Sequence, residues 1–343
     1  MSRLRNLKAS KWNNNHSVRW ATIKTEIRIK PSEINGPFNL LETVLSGQTA
    51  WPSCDAIKKG FWDAIKIGEQ YVKYEVYQEG PVDKPSLVVI LTGSELISVE
   101  LKEIVHTHLL HILGLKDSLN EFYSKFKDDI ISKLFNCFPG LRVIRASNIF
   151  ESLICSICSQ NTTVSRWNQM ITTIKKCYGE RVILPDGTLF YTFPNPESLA
   201  NASVNALTTC QVGYRAGYIE KAAQMIAKGE VELDSLSQKC YEDAREIILT
   251  LPGVGPKVAD CFLLYGLGFM EAAPVDVWVQ RIVQNWYHKG RNISRENVRK
   301  FIQQKFENWS GYASLYLFHY ARKMGITSNF FGKKRRSHPG RMT

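Results

Sequence analysis

No apolar run in this chain of 343 residues approaches the ~20 that a bilayer span requires; stretches such as CFLLYGLGF (261–269) stop far short. The opening residues, MSRLRNLKASKWNNNHS, are basic and polar and lack the apolar centre of a secretory signal. They also lack acid, the first carboxylate being Glu26, a trait shared with organelle transit peptides. Cysteine is present without a pattern. The eight lie at 54, 137, 155, 158, 177, 210, 240 and 261, which builds no disulfide framework and fits a reduced, intracellular chain. Acidic residues are outnumbered, 32 against 44 basic, for a formal net charge of +12. Such an excess points to a polyanionic partner, nucleic acid before membrane.

Hydrophobic residues make up 44% of the chain, enough for a sizeable core, and the length suits one large or two moderate domains. The first hundred residues are β-rich. TIKTEIRIKP (22–31) alternates apolar and polar side chains, and KYEVYQEG (73–80) and SLVVILTG (86–93) are β-branched or aromatic runs closed by glycine. From about Leu101 the period becomes helical, as in LKEIVHTHLLHILGL, SNIFESLICSICSQN, RAGYIEKAAQMIAKG, CYEDAREIILTLPG and ASLYLFHYARKMG. This predicts an α+β protein: a β-rich domain over 1–104, a helical domain over 105–330, and a basic, disordered tail over 331–343.

The segment LPGVGPKVADC (251–261) joins two amphipathic runs through a turn rich in glycine and proline, so it predicts helix, hairpin, helix. Gly253 and Gly255 allow backbone conformations closed to other residues and leave amides uncovered, which suits a phosphate oxygen beside a helix N-terminus. The odd residue is Lys257, a cation inside an apolar run. An amine sheltered from water loses hydration of its charged form, so a nucleophilic fraction appears near neutrality.

LPGVGPKVADC, followed nineteen residues after Lys257 by the aspartate of AAPVDVWVQRI, resembles the helix-hairpin-helix glycosylases of base-excision repair, above all their 8-oxoguanine DNA glycosylases. The resemblance runs from FNLLETVLSGQTAWP to GYASLYLFHYAR, most of the chain. It implies a TATA-binding-protein-like sheet packed on an all-α hairpin domain, and a bifunctional DNA glycosylase and AP lyase. Lys257 would attack the sugar carbon bearing the damaged base, and the resulting Schiff base would permit β-elimination of the 3′ phosphate. Asp276 would stay ionised and stabilise developing positive charge; an Asp before VWVQRIV is also a natural helix N-cap.

A stacked base must be swung out before its sugar is reached, at a cost of a few kcal/mol. By resemblance, Asn161 of CSQNTTVSRW enters the vacated space, and Tyr214 of CQVGYRAGY wedges beside the orphaned cytosine. Arg166 and Arg215 would hold that cytosine, their forked donors matching its acceptors. Gly47 of SGQTAW would accept the N7 hydrogen peculiar to oxidised guanine, with Cys261 and Phe318 on the two faces of the base. Ser314 stands where many members carry a glutamine that reads the Watson–Crick edge, and Trp278 where better-known members have a phosphate-contacting histidine. The first departure leaves a glycosylase for another lesion, such as an alkylated purine, as the alternative; a non-catalytic DNA-binding module is the other.

The resemblance requires no cofactor, and no cysteine follows Cys261 to supply the iron–sulfur cluster of relatives resembling endonuclease III. The hairpin carbonyls are a place where an alkali or alkaline-earth ion would bind loosely. His106, His108 and His111 do not share a helix face, so a metal role is set aside. The Cys155–Cys158 pair lies in an apolar helix without a second pair, so it is read as packing. The expected partner is double-stranded DNA containing oxidised guanine, met by a monomer with no membrane attachment, wherever the cell keeps its DNA: nucleus, cytoplasm or nucleoid.

Overall fold

Alternation along the first described strand, β1 (Ile23–Ile29), runs half-buried to exposed and ends on fully buried Ile29, the pattern of a sheet with one face on a core. In the computed structural model the described residues are 22–50, 54–55, 60–94 and 96–324, so the expected tail over 331–343 lies outside them. Four further strands complete an antiparallel sheet: β2 (Cys54–Asp55), β3 (Gly60–Ile67), β4 (Gln70–Glu79) and β5 (Ser86–Gly93), in the order β1-β5-β4-β3-β2. Val72, Tyr74 and Val76 of β4 point to one face and are buried there. They join Phe61, Leu87, Val89 and Leu91 in a core closed by helix α1 (Leu40–Val44) and helix α2 (Val99–Ile112).

Leu101, Val105, Leu109 and Ile112 of α2 all belong to that core, which extends to Leu115. The expected boundary at residue 104 therefore falls inside a helix whose whole apolar face sits under the sheet, and we place the break after Leu115. Arg142 staples the two units. It is fully buried, and its guanidinium donates to the carbonyls of Pro37 (3.1 Å), Gly114 (2.5 Å), Asp117 (2.9 Å) and Asn35 (2.7 Å). Each bond is charge-assisted, so the buried cation is met by acceptors instead of a counter-ion.

The remaining helices are α3 (Leu119–Lys125), α4 (Ser132–Cys137), α5 (Ile149–Cys158), α6 (Val164–Tyr178), α7 (Pro196–Ala200), α8 (Val204–Thr208) and α9 (Ala216–Ala227). After them come α10 (Tyr241–Leu249), α11 (Pro256–Leu267), α12 (Val277–Tyr287), α13 (Arg295–Phe306) and α14 (Ser310–Met324). They surround one core in which α11 and α14 are buried along most of their length. The expectation of an all-α domain needs one correction. A ribbon of β6 (Arg181–Ile183) and β7 (Leu189–Tyr191) interrupts the helices and docks on the other face of the sheet. Asp186 meets Lys73 at 2.6 Å, and Phe190 lies 6.5 Å from Trp62 and 6.3 Å from Tyr71 between ring centres.

Candidate active site

The hairpin forms where the sequence places it, between α10 and α11, but its two glycines serve different ends. Gly253 sits at φ +81°, and a Cβ there would lie 2.6 Å from Tyr218 Cβ and Cγ. Gly255, the N-cap of α11, has φ −94° and ψ 178°, extended backbone open to any residue, and a Cβ there would meet nothing within 4 Å. Both glycines permit conformations closed to other residues, but only Gly253 adopts one. Gly253→Ala is expected to lower stability by at least ~2 kcal/mol through strain and overlap, and Gly255→Ala to leave it nearly unchanged. Thermal unfolding of the two variants decides this.

Lys257 stands on the first turn of α11, half-buried, with Nζ donating to Ser159 Oγ at 2.8 Å. Ser159 Oγ donates its own hydrogen bond to the Ser156 carbonyl at 2.7 Å, so its lone pair is turned toward the amine. One turn later Cys261 is buried beside the lysine. Burial pushes its thiol up, while the neighbouring Lys257 amine pulls the other way. Asp276 caps α12: its Oδ1 accepts from the amides of Trp278 (2.9 Å) and Val279 (2.8 Å). Lys257 and Asp276 line one cleft of roughly 1810 Å³.

That cleft also gathers Gly47, Asn161, Gly255, Cys261, Trp278, Ser314 and Phe318. Ser314 and Phe318 are one helical turn apart on α14. Ser314 is buried, and its Oγ has no hydrogen-bond partner among the described residues; a buried orphan hydroxyl is costly unless something else meets it. Gly47 faces them at φ +81°. Its loop follows α1, whose Glu42 is gripped by His319 Nε2 (2.7 Å) and Lys323 Nζ (3.1 Å). The His319 contact, then burial opposing it and Lys323 reinforcing it, hold the Glu42 carboxyl down at about 2. A lowered folded value means stability present above the ordinary carboxylate range and lost as pH falls from about 4.5 toward 2. Glu42→Gln is thus expected to cost on the order of 1–3 kcal/mol near neutrality. The deficit should vanish in strong acid, as read by denaturant unfolding at several pH values.

Of the four residues expected to meet the opposite strand, Asn161, Arg166 and Tyr214 are exposed and Arg215 is buried. Asn161 takes φ 44°, a conformation asparagine tolerates, and its Nδ2 donates to the Tyr214 hydroxyl at 3.2 Å. Both side chains are exposed, as are Trp278 and Arg166. Arg166, Tyr214, Arg215 and Gly253 do not line the cleft. Arg215 is 5% exposed: its guanidinium donates to the carbonyls of Val212 (3.0 Å) and Gln160, lies 4.6 Å from the Tyr214 ring centre, and leaves Nε–H unpaired.

Sequence reasoning missed Ser159 and Gln160. Gln160 Nε2 donates to the carbonyls of Ile157 (2.9 Å) and Gly253 (3.0 Å), tying the Asn161 segment to the hairpin. Their position in CSQN, directly before Asn161, was the available signal. Two of the three histidines go to separate partners, His106 to Glu33 and His108 to the hydroxyls of Tyr74 and Ser147.

A glycine turn between two helices, a lysine on the second and a capping carboxylate across a cleft define a helix-hairpin-helix protein. The profile of the HhH-GPD superfamily of base excision DNA repair proteins matches residues 154–308. A probable N-glycosylase/DNA lyase of Methanothermobacter thermautotrophicus is 34% identical over 310 residues, 85% of this chain and 96% of that one. Among solved structures, MBOgg1, determined with a low-affinity DNA ligand, superposes with a TM-score of 0.72 at 28% identity, covering 88% of this chain and 96% of that one. The Clostridium acetobutylicum 8-oxoguanine glycosylase/lyase, determined with double-stranded DNA carrying cytosine opposite 8-oxoG, shares the fold (TM-score 0.71, 23% identity, 88% and 97% covered). The chain belongs to the HhH-GPD superfamily of base excision DNA repair proteins, with the N-glycosylase/DNA lyases.

Proposed function

We propose that the protein removes 8-oxoguanine from double-stranded DNA, preferentially opposite cytosine, and cleaves the strand at the resulting abasic site, acting as a monomer where the cell keeps its DNA. The observation that carries this reading is the Lys257 amine, oriented by Ser159 and sharing a cleft with the Asp276 carboxylate. The neutral amine attacks C1′ as the bond from C1′ to the base breaks, and the base leaves with its electron pair and takes up a proton. The amine adduct then opens the sugar to a Schiff base, loss of a C2′ proton expels the 3′ phosphate, and water later releases the lysine. Asp276 holds a negative charge near the sugar while positive charge grows there.

Base choice is assigned to Gly47, Cys261, Phe318 and Ser314, and duplex opening to Asn161 and Tyr214, with Arg166 and Arg215 for the orphaned cytosine. For Arg215 this requires the guanidinium to exchange its carbonyl partners for the base. The hairpin takes a phosphate, where Gly255 leaves open approach and the first amides of α11 have no intrahelical partner. Trp278, exposed beside Asp276, offers its ring and not a histidine's charge to the backbone. Both catalytic groups come from the chain, so the proposed chemistry requires no cofactor. A loosely held cation at the hairpin would share carbonyls that already accept hydrogen bonds, those of Leu251 and Gly253.

The test is borohydride trapping with duplexes that differ only in the lesion. An adduct with 8-oxoguanine in preference to alkylated purines supports the proposal. Preference for an alkylated purine reassigns the substrate, and no adduct with any lesion or a bare abasic site leaves only a DNA-binding module.

A further inference from the structure

Three cleft-lining side chains of α14 fall at i, i+4 and i+8: Ser314, Phe318 and Arg322. The first two already have roles in the reading above. Arg322 has none, although it is the side chain in closest touch with the loop that carries Gly47. Its Nη1 donates to the Leu45 carbonyl at 2.5 Å. A Cβ built on Gly47 would lie 2.8 Å from that same Nη1 and 3.1 Å from Cζ. Glycine at 47 is called for by its positive φ, and the guanidinium rests where a side chain would begin.

The opposite side of the loop is held as well. Gln48 Nε2 donates to the carbonyls of Arg142 (2.8 Å) and Thr43 (3.3 Å), and its Oε1 accepts from the Ile144 amide at 2.8 Å. Ser46 Oγ donates to the Thr43 carbonyl at 2.8 Å. The loop is therefore anchored on both flanks of Gly47, by the Gln48 side chain to Thr43, Arg142 and Ile144 and by Arg322 on the Leu45 carbonyl.

We infer that Arg322 is a positioning residue for base selection: by holding the Leu45 carbonyl and packing on Gly47 it aims the Gly47 carbonyl into the cleft. The inference rests on the proposed function. Oxidised guanine carries a hydrogen on N7, which an aimed carbonyl accepts; ordinary guanine presents a lone pair there, which the same carbonyl repels. Attraction and repulsion both depend on direction, so a loosened loop loses discrimination on both counts. Arg322 never touches the reacting atoms, and an abasic site has no base to read.

The experiment compares the wild type, Arg322→Met and Arg322→Lys. Single-turnover release of 8-oxoguanine and borohydride trapping on a pre-formed abasic site are measured for each. The affinity ratio for 8-oxoguanine over guanine duplexes is measured with each change placed in a Lys257→Gln background. Arg322→Met is expected to slow 8-oxoguanine release about tenfold to a hundredfold and to narrow the affinity ratio by a similar factor, with abasic-site trapping reduced less than threefold. Arg322→Lys, which keeps a donor for Leu45, should recover part of the ratio. Equal losses on abasic and lesion substrates would make Arg322 a backbone contact, and an unchanged ratio would remove its role; either overturns the inference alone. A wild type that traps abasic sites but shows no preference for 8-oxoguanine overturns the substrate reading and this inference with it.

Discussion

Lys257→Gln is expected to leave no borohydride-trapped adduct and to slow base release by at least about a thousandfold, with DNA affinity changed only a few-fold. The reasoning is chemical before it is structural. A side-chain amide has no basic lone pair on nitrogen, so it can neither attack C1′ nor form a Schiff base. Removing the nucleophile of a covalent mechanism costs several orders of magnitude, the residue coming from groups that still bind and polarise the substrate. Glutamine fits the site because its amide N–H can still reach toward Ser159, which now accepts from Lys257 at 2.8 Å. The hairpin, held by Gly253 and Tyr218, does not involve the amine at all. An adduct that persists in the variant would assign the chemistry to another amine.

Asp276 carries a second large effect, and here two roles must be separated. Its Oδ1 accepts from two amides at the start of α12, so it caps a helix as well as facing the cleft. Asp276→Asn keeps an oxygen for both amides and removes the charge. It is expected to slow base release about a hundredfold to a thousandfold while the unfolding midpoint stays within ~1 kcal/mol of the wild type. Asp276→Ala loses the cap too, and should show the same kinetic loss plus about 0.5–2 kcal/mol of destabilisation. If the asparagine variant keeps its rate, the residue is a cap and nothing more.

Much of this was legible before any coordinates. SLVVILTG is a strand to the residue, Ser86–Gly93, because a β-branched run bounded by glycine has few other outcomes. The hairpin was legible because glycine and proline punctuate it, and the lysine because a cation in an apolar run is locally out of place. The ribbon of β6 and β7 escaped notice although its Pro-Asp-Gly turn is a hairpin signal; three-residue strands are too short to show alternation. Strand β3 escaped because Asp63 and Lys66 break its apolar pattern.

Other features have no local signature. Arg142 is spelled like any solvated charge, and only the folded chain supplies carbonyls 25 to 107 residues away to bury it. Ser159 reaches Lys257 across 98 residues, a distance over which no period can be read. Arg215 sits in a motif that predicts exposure to a base, yet burial is what the free protein shows. Pattern reports what one segment prefers; partners across the fold decide what its polar atoms do.

Gln160 joins a stretch 93 residues distant along the chain, through the carbonyl of Gly253. A duplex docking on this surface therefore meets a stiff jig. On the proposed reading, the spacing between the turn assigned to one nucleotide's phosphate and Asn161, assigned to the gap left by another, is set when the protein folds. A double helix that must bend to that gauge would be inspected faster at sequence steps that kink cheaply than at rigid ones.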